Sequence, residues 1–561
     1  MVEHNHHMVG VGCSIQPAPT KHPEAKPGPP PGPTRVGFWW RVTLAFAASF
    51  GFAYHLQFQS PFIIGYDGYY HAKYAFLLRT LGLMREFKWA SHSLWATQFS
   101  DKEFLYHVYL IPFTYFDDLA TGIKLASALM AALALTSFFA ILLLNRFRYP
   151  WLWYGLLLGS GWFFLYRLIA ARPHVVAIVL LLWTVHLIVN RRRRALAAVV
   201  FVYSLSYTGF VLPMIVAVIV SIHLFVTERE LDWKTPLVVL GASLAGMLVN
   251  PFFPNNLRMF YVQNLYVPWM SLQSNVDLAM AGEFEPLETR FLVMVHLAVV
   301  LPCAGAAYLA LVRPMRLDRK TSSLFVVACS LIGLTFMIRR FIEYSVPFTL
   351  LFLAAFYTCH LRGFSLRASL ARGGRTRVLA AGAAALVVLL TAGLFVRSYL
   401  DALPHYRVPE PRLKDSALYL LDHTEEDELV FTCDWDDTPA LFFYNHRNRY
   451  PVFMDPNFMY VWNPEHWEEW YGIAHGDFGG RTYNLLAERY EYGVCTWDFE
   501  HLKWIVENDP RMEVVFDSVG SWVFRVDRDN PEISIDDFLR LTDDPFVVAP
   551  SEEQETDDGP G

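Results

Sequence analysis

Long apolar runs fill most of the first 400 residues and limit the folds that this chain can adopt. A helix needs roughly 20 apolar residues to cross the hydrocarbon core of a bilayer. The run 196–226 is long enough for two helices, and Tyr207, Gly209 and Pro213 divide it. We therefore predict a polytopic α-helical membrane module over 37–400, with about eleven spans. The other predicted spans are roughly 38–58, 121–144, 151–169, 174–190, 235–249, 290–312, 322–338, 342–360 and 377–397.

Basic residues in the short segments between these runs predict how the chain is oriented. Cytoplasmic loops of membrane proteins carry an excess of Lys and Arg. If the N-terminus is cytoplasmic and the number of spans is odd, all the strongly basic loops fall on the inner side. This orientation places Asp67, the loop 250–289 and the C-terminal part on the outer face, which is periplasmic, extracellular or lumenal. The basic loops contain Arg146 and Arg148, Arg191–Arg194, Arg313–Lys320 and Arg362–Arg377.

The composition of the chain changes after Pro404. Over all 561 residues 54% are hydrophobic and 18% charged, too apolar for a soluble protein, but Asp and Glu concentrate beyond this point. Strand-like segments at Leu429–Cys433 and Tyr450–Met454 and a hairpin at 512–526 alternate with helical segments. Such alternation predicts a soluble α/β domain over 405–545.

Both ends of the chain are of low complexity. The segment 1–36 is rich in proline and has no apolar stretch of its own, so we predict a disordered cytoplasmic tail and no signal peptide. The acidic segment 546–561 is predicted to be disordered too. Of the six cysteines, Cys433 and Cys495 share the C-terminal domain, and the sequence leaves open whether they form a disulfide.

The first predicted outer loop, 59–104, opens with a cluster of polar and aromatic side chains. Gly65–His71 combines three tyrosines with Asp67 and His71, which are spaced one helical turn apart. Apolar side chains then recur at helical spacing over 70–81. This pattern predicts an amphipathic helix along the membrane interface.

The rest of this loop adds two tryptophans and a second acidic pair. Trp89 and Trp95 suit the depth of the membrane interface. Asp101 and Glu103 form a D-x-E pair close to the loop's end. Two interpretations stay open for these carboxylates. They belong to an active site, or Asp67 and Asp101 cap the helices that follow them.

Arginines also lie at predicted span ends on the outer face, against the usual charge bias. Arg172 and His174 fall between two spans, and Arg339 and Arg340 between two more. A bound phosphate would explain them, because the guanidinium fork matches phosphate oxygens. The alternatives are pairing of Arg339 or Arg340 with Glu343 and, for His174, a purely structural role.

These residues resemble a known class, the GT-C glycosyltransferases. Asp67–His71 is most similar to the segment of oligosaccharyltransferase catalytic subunits in which an Asp precedes two aromatic residues. The resemblance implies a donor linked to a polyprenyl phosphate or diphosphate, with Asp67 catalytic beside His71. It also implies that Asp101 and Glu103 join Asp67 on a divalent metal. The similarity covers the first 120 residues and the topology, and departs where the acidic pair lies in the same loop as Asp67.

Two further pairs are assigned to the acceptor by the same resemblance. Glu283 and Glu285 lie where oligosaccharyltransferases carry a mobile loop with a Glu that approaches the acceptor. Trp435 and Asp436 are loosely similar to the Trp-Trp-Asp signature that recognises the acceptor, although the residues after them differ. The alternatives are a solvated acidic loop for 250–289 and a helix-capping turn for Trp435 and Asp436.

The chemistry of glycosyl transfer suits this set of residues. A carboxylate can take the acceptor's proton while cations neutralise the departing phosphate. Oxygen ligands indicate Mg²⁺ or Mn²⁺. We predict a membrane glycosyltransferase that moves a sugar or oligosaccharide to a protein, lipid or glycan acceptor on the outer face.

The expected partners are membrane lipid, the polyprenyl-linked donor and the acceptor, with no nucleic acid. A transporter or a non-transferring handler of lipid-linked saccharides is the alternative, and a noncatalytic sensor is a third. A transporter should show broken helices and internal symmetry. The only break that the sequence indicates is at Tyr207–Pro213.

Overall fold

The computed structural model of the chain describes two compact units. The first contains the described residues of 34–83, 100–273 and 282–409, and the second those of 84–99 and 410–546. Nearly all of the two predicted disordered tails lies outside the described residues. The described residues are 34–273, 282–286, 288–362, 365–371, 374–529, 532–534, 541 and 545–546.

Helices make up the first unit, and one short helix of the first loop, α3, belongs to the second. Short 3₁₀ turns cover Ile111–Tyr115, Thr208–Phe210, Gly282–Phe284 and Arg339–Phe341, and Val262–Tyr266 is a π-helix. The α-helices up to residue 409 are α1 (Arg35–Gln57), α2 (Asp67–Leu81), α3 (Trp95–Gln98), α4 (Phe104–Leu110), α5 (Leu119–Leu144), α6 (Pro150–Leu158), α7 (Trp162–Ile169), α8 (His174–Val189), α9 (Arg193–Ser206), α10 (Val211–Glu228), α11 (Lys234–Val249), α12 (Asn255–Tyr261), α13 (Val267–Gln273), α14 (Thr289–Val295), α15 (Leu297–Val312), α16 (Arg319–Met337), α17 (Ile342–His360), α18 (Leu366–Ala371) and α19 (Arg375–Tyr406).

These helices make the chain an integral membrane protein, but they do not confirm eleven spans. Among the described residues, 6 helices are long and apolar enough to cross a membrane, or up to 8 if each of two bent pairs is one span. The predicted runs 174–190 and 235–249 form helices of only 16 residues, α8 and α11. The run 196–226 is divided at Tyr207–Gly209, as predicted. Apolarity therefore locates the helices, whereas the number of crossings depends on bends that it does not show.

Two of the predicted straight spans are broken helices, and their breaks touch. α6 and α7 meet at 89°, and α14 and α15 meet at 92°. Gly161 has a φ of 110°, and a Cβ there would lie 2.5 Å from the carbonyl oxygen of Val295, so only glycine fits. The neighbouring His296 bonds through Nδ1 to the Ser160 carbonyl. The expectation of a single break at Tyr207–Pro213 is thus wrong.

The start of α2 packs closely on the link between α7 and α8. A Cβ at Gly68 would lie 2.5 Å from Ile63 Cγ2 and 3.0 Å from the Cβ of Ala171. The absence of a side chain at Gly68 therefore lets Asp67 approach the residue that follows Ala171. The predicted helix is confirmed, with Tyr70 and Tyr74 on its buried face.

The second unit contains a four-stranded sheet of order β1-β2-β4-β3. β1 and β2 are parallel, and the other neighbouring pairs are antiparallel. Cys433 and Cys495 form a disulfide. The α/β character and the hairpin match the prediction, but 450–454 is not a strand, since Tyr450 makes only an isolated bridge to Ala90. The strands are β1 (Phe431–Thr432), β2 (Tyr492–Thr496), β3 (Met512–Asp517) and β4 (Ser521–Val526), and the helices are α20 (Lys414–His423), α21 (Thr438–Tyr444), α22 (Pro456–Trp462), α23 (Pro464–His475), α24 (Thr482–Ala487) and α25 (Glu500–Asn508).

Residues 84–99 of the first loop supply part of this second unit's core. Phe87 is fully buried, and its ring lies 5.0–5.5 Å from those of Trp89, Phe442 and Phe453. The indole of Trp89 donates a 2.7 Å hydrogen bond to the carbonyl of His446. The prediction that Trp89 sits at the membrane interface is therefore wrong.

Trp95 departs from the prediction in the same way, since it is only 1% exposed and packs against the rings of Phe453 and Phe458. Aromatic rings suit a protein core and a membrane interface equally well, so composition alone could not separate the two environments.

We expect Phe87→Ala to destabilise the second unit by about 3–5 kcal/mol, the usual loss when a buried Phe is truncated. Limited proteolysis of the full-length protein in detergent should then cleave within 410–529 at protease concentrations that leave the parent intact. Val519→Ala is the control, because Val519 is fully exposed. Equal resistance of Phe87→Ala and the parent would show that 84–99 is not part of this core.

Candidate functional site

Asp67 forms an ion pair with Arg172 at the beginning of α2. The distance from Asp67 Oδ1 to Arg172 Nη2 is 3.1 Å, and the side chains are 24% and 21% exposed. Asp67 is the first residue of α2, the N-cap is Tyr66, and that position has no side-chain capping bond. The capping hypothesis for Asp67 is therefore wrong. Its carboxylate is partly accessible, at a helix N-terminus that favours negative charge.

Three arginines from separate segments converge on Glu283. Arg340 Nη1 lies 3.1 Å from Oε1, while Arg172 Nη1 and Arg167 Nη1 lie 3.2 and 2.5 Å from Oε2. Burial opposes ionisation of this carboxyl, but the charges of the three guanidinium groups outweigh it and hold the pKa of Glu283 well below its usual value. The side chain is 19% exposed, so the interpretation as a solvated acidic loop is wrong for Glu283.

Glu343 is fully buried and contacts the cluster through Arg167. Arg167 donates to its Oε2 through Nε at 3.0 Å and Nη2 at 2.8 Å. His174 Nε2 is 3.6 Å from the same oxygen and 2.6 Å from the Arg167 carbonyl. Among the described residues, Arg167 and His174 are therefore the ion-pair partners of Glu343, in place of the predicted Arg339 or Arg340. The contacts of His174 match its structural alternative.

Arg339 and Arg340 are neighbours in the chain but differ in surroundings. Arg340 donates to the hydroxyl of Tyr207 at 2.7 Å, and its guanidinium lies 5.0 Å from the centroid of the Phe284 ring. Arg339 is 35% exposed and faces Glu285, with Nη2 3.8 Å from Oε2. Only Arg340 belongs to the cluster around Glu283.

A chain of buried hydrogen bonds joins α2 to α4. His107 Nδ1 lies 2.8 Å from Asp101 Oδ1, and His107 Nε2 lies 2.8 Å from His71 Nδ1. Burial lowers the pKa of His71 well below its usual value. The Asp101 carboxylate can only accept, so His107 donates to it through Nδ1; in the tautomer in which His107 Nε2 accepts from His71 Nδ1, the Nε2 of His71 keeps its lone pair. The chain anchors the turn of α2 that follows Asp67.

The acidic pair does not assemble the metal site that the resemblance implies. Asp101 accepts from His107 and from the Glu103 amide, while Glu103 lies 4.0 Å from Lys102. Burial raises the pKa of Glu103 to about 7. Among the described residues, no group of three or more His, Cys, Asp or Glu side chains is arranged to hold a metal ion. The residues thus do not fit a three-carboxylate site in this structure, and a metal requirement stays a prediction.

Capping does not explain the acidic pair either. The N-cap of α4 is Glu103, and it has no side-chain capping bond. Asp101 instead accepts the Glu103 amide at 2.9 Å, two residues along the chain. The hypothesis that Asp101 is the N-cap of α4 is therefore wrong.

The predicted acceptor residues divide between the two units. Glu283 and Glu285 lie in the first unit, where Glu285 is 69% exposed. Trp435 and Asp436 lie in the second, in the turn before α21. In this turn Asp434 accepts the Asp436 amide at 3.0 Å. A role of these residues in acceptor binding stays a prediction.

Sequence reasoning missed three residues of the site. Arg167 lies inside a predicted span, although an ionisable residue in an apolar run is itself a signal of function. His107 was visible six residues after Asp101, but nothing in the pattern paired them. The sequence pattern indicates Tyr207 only as a residue at a helix break, whereas its hydroxyl accepts a hydrogen bond from Arg340.

The chain was compared with proteins of known sequence and structure. No protein-family model and no curated protein sequence matches it. The oligosaccharyltransferase of Archaeoglobus fulgidus in the apo form matches with a TM-score of 0.61 at 13% identity, over 83% of this chain and 70% of that one. The same organism's oligosaccharyltransferase AglB, in complex with an inhibitory peptide and a dolichol-phosphate, matches at 0.61 and 14%, over 84% and 71%.

A shorter protein matches along almost all of its own length. ArnT from Cupriavidus metallidurans in the apo state gives a TM-score of 0.53 at 14% identity, over 87% of this chain and 98% of that one. Identities this low establish the fold alone. The chain therefore has the GT-C fold of membrane glycosyltransferases and is distantly similar in structure to the oligosaccharyltransferases.

Proposed function

We propose that this protein is a glycosyltransferase that moves a sugar or oligosaccharide from a polyprenyl phosphate or diphosphate donor to an acceptor on the outer face of the membrane. The observation that carries the proposal is the Asp67–Arg172 ion pair, because Arg172 also belongs to the cluster with Arg167 and Arg340. The partly accessible carboxylate of Asp67 thus lies beside one member of a cluster of three arginines. Glycosyl transfer needs both a proton acceptor and cations for the leaving phosphate.

Each part of the site has a proposed task. Asp67 takes the proton of the acceptor, and Arg172 holds its carboxylate in place. Arg340 and Arg172 neutralise the departing phosphate. His71 fixes the first turns of α2 through His107, and its Nε2 lone pair is a second proton acceptor.

The proposed substrates follow from the membrane helices and the structural relatives. A polyprenyl chain suits the apolar helices, and a relative with the same fold binds a dolichol-phosphate and a peptide. The acceptor is a protein, lipid or glycan, with Trp435 and Asp436 as proposed contacts. A divalent cation, Mg²⁺ or Mn²⁺, is a proposed cofactor, and the tasks proposed for Asp67, Arg172 and Arg340 do not depend on it.

The outer location of the site can be tested by topology. A reporter that is active only outside the cytoplasm should be active when fused after Pro409. The same reporter should be silent when inserted between Ala371 and Gly374, because the basic residues near α18 favour the cytoplasm. Swapped signals would place the site on the inner face and remove the outer-face assignment.

We expect Asp67→Asn to lower turnover by a factor on the order of 10²–10⁴, the usual loss when a general base is removed. The substitution keeps the side chain's size while removing its charge. Turnover and melting temperature should be measured together in membranes that contain a lipid-linked donor. Asp118→Asn is the matched control, since Asp118 caps α5 through the amides of Ala120 and Thr121 and Asn caps equally well.

The same measurement separates the proposal from its alternative. The broken helices α6–α7 and α14–α15 are a feature that transporters share, and they favour transport as the second candidate. A transporter of lipid-linked saccharides would move its cargo without forming a new glycosidic bond. An Asp67→Asn protein that transfers sugar at the parent rate would end the assignment of Asp67, and a parent that transfers none would favour transport.

Arg340 and Arg339 offer a matched pair of substitutions. We expect Arg340→Gln to raise KM for the lipid donor about 10- to 100-fold, as the loss of a charged hydrogen bond predicts. Arg339→Gln should change KM less than about threefold, since Arg339 is more exposed and faces Glu285. Equal effects of the two substitutions would contradict the assignment of the phosphate to the cluster around Glu283.

A further inference from the structure

Glu283 lies where the three arginines would hold an anionic ligand. Its two carboxylate oxygens are shared among Arg340, Arg167 and Arg172. Guanidinium groups bind carboxylates and phosphates with the same planar fork. The carboxylate of Glu283 therefore fills the positions that phosphate oxygens would take.

The arginines have partners of their own that would keep them in place without Glu283. Arg167 is bound to Glu343, and Arg172 to Asp67. Arg340 donates to Tyr207. The site is thus preorganised by partners on α2, α7 and α17 and by Tyr207, which lies between α9 and the 3₁₀ turn Thr208–Phe210, whichever anion occupies it.

The turn that carries Glu283 is held more lightly. Phe284 is 39% exposed and contacts Arg340 with its ring, and the Glu285 side chain is 69% exposed. The carbonyl of Glu285 accepts the Arg339 amide at 2.9 Å. Among the described residues, the contacts of Phe284 and Glu285 with Arg339 and Arg340 therefore hold this turn, apart from the carboxylate of Glu283 itself.

Charge balance requires a replacement if Glu283 leaves. In the part of the chain that the structure describes, the three guanidinium groups would then be paired with two carboxylates, Asp67 and Glu343, and a buried excess of positive charge is unfavourable. A phosphate or diphosphate restores the balance and brings more acceptor oxygens than a carboxylate.

We propose that Glu283 is an exchangeable internal occupant of the anion site formed by Arg167, Arg172 and Arg340, and that the phosphate of a polyprenyl-linked donor displaces it. This inference rests on the proposed function and adds Arg167 to the phosphate-binding residues. The apparent Kd for the donor is then the intrinsic Kd divided by the fraction of molecules in which Glu283 has left the site.

The test measures binding of two probes, farnesyl diphosphate and inorganic pyrophosphate, to the full-length protein in lipid nanodiscs by calorimetry. We expect Glu283→Gln to bind both probes about tenfold more tightly than the parent, since an amide cannot compete for three arginines. Asp118→Asn is the control, because it also removes one negative charge but lies outside the cluster, at the N-cap of α5, and it should bind like the parent. Binding by Glu283→Gln no tighter than by the parent, or the same gain in Asp118→Asn, would overturn the proposed displacement of Glu283.

The two probes also distinguish a lipid headgroup from a free anion. We expect farnesyl diphosphate to bind more tightly than inorganic pyrophosphate, because its chain enters the apolar helices beside the site. Equal affinity for the two probes would overturn the assignment to a lipid-linked donor.

A second measurement uses the parent protein, so its result does not depend on whether the variant folds. Displacement of the turn breaks the hydrogen bond between the Arg339 amide and the Glu285 carbonyl, so saturating farnesyl diphosphate should speed hydrogen exchange at that amide. Unchanged or slower exchange would overturn the proposal. Neither readout involves sugar transfer. If the probes displace Glu283 but the protein transfers no sugar, the proposed function alone is rejected. If the protein transfers sugar and the probes do not displace Glu283, this inference alone is rejected.

Discussion

The buried guanidinium of Arg167 is the charge on which the site depends. It pairs with Glu343 on one side and Glu283 on the other, and both Arg172 and Arg340 share the second of these carboxylates. Removing one member of such a buried network is costly, because the remaining charge is left without a partner. The network therefore joins segments far apart in the chain, and Asp67 lies at its edge through its ion pair with Arg172.

Arg167 reaches this position because the helix that carries it is broken. A straight span over 150–169 would continue the direction of α6, whereas the 89° bend redirects α7. The bend is possible only with glycine at position 161, where the backbone meets the carbonyl of Val295. The second broken helix thus fixes the first. An irregular backbone at membrane depth is tolerated when its polar groups are satisfied within the protein, as the bond from His296 to Ser160 illustrates.

The sequence predicts most of the helices well and predicts the contacts between charged side chains poorly. Asp67, Arg172 and Arg340 could be found because a charge at an apolar boundary needs an explanation. The pairing of Arg172 and Arg340 with Glu283 could not, since these contacts join residues far apart in the chain, 111 positions in the case of Arg172. Local alternatives, such as Arg340 with Glu343, fit the helical period and were still wrong.

The loop 59–104 contributes residues to both units. Its chain places Asp67 at the beginning of α2 in the first unit, and Phe87, only a few residues beyond the end of α2, in the core of the second. A protein truncated before residue 410 would keep Phe87 and Trp95 but lose the aromatic rings that bury them. The exposed rings would favour aggregation, and a loss of activity would then say nothing about acceptor binding. The roles of Trp435 and Asp436 can therefore be judged only from single substitutions in the intact chain.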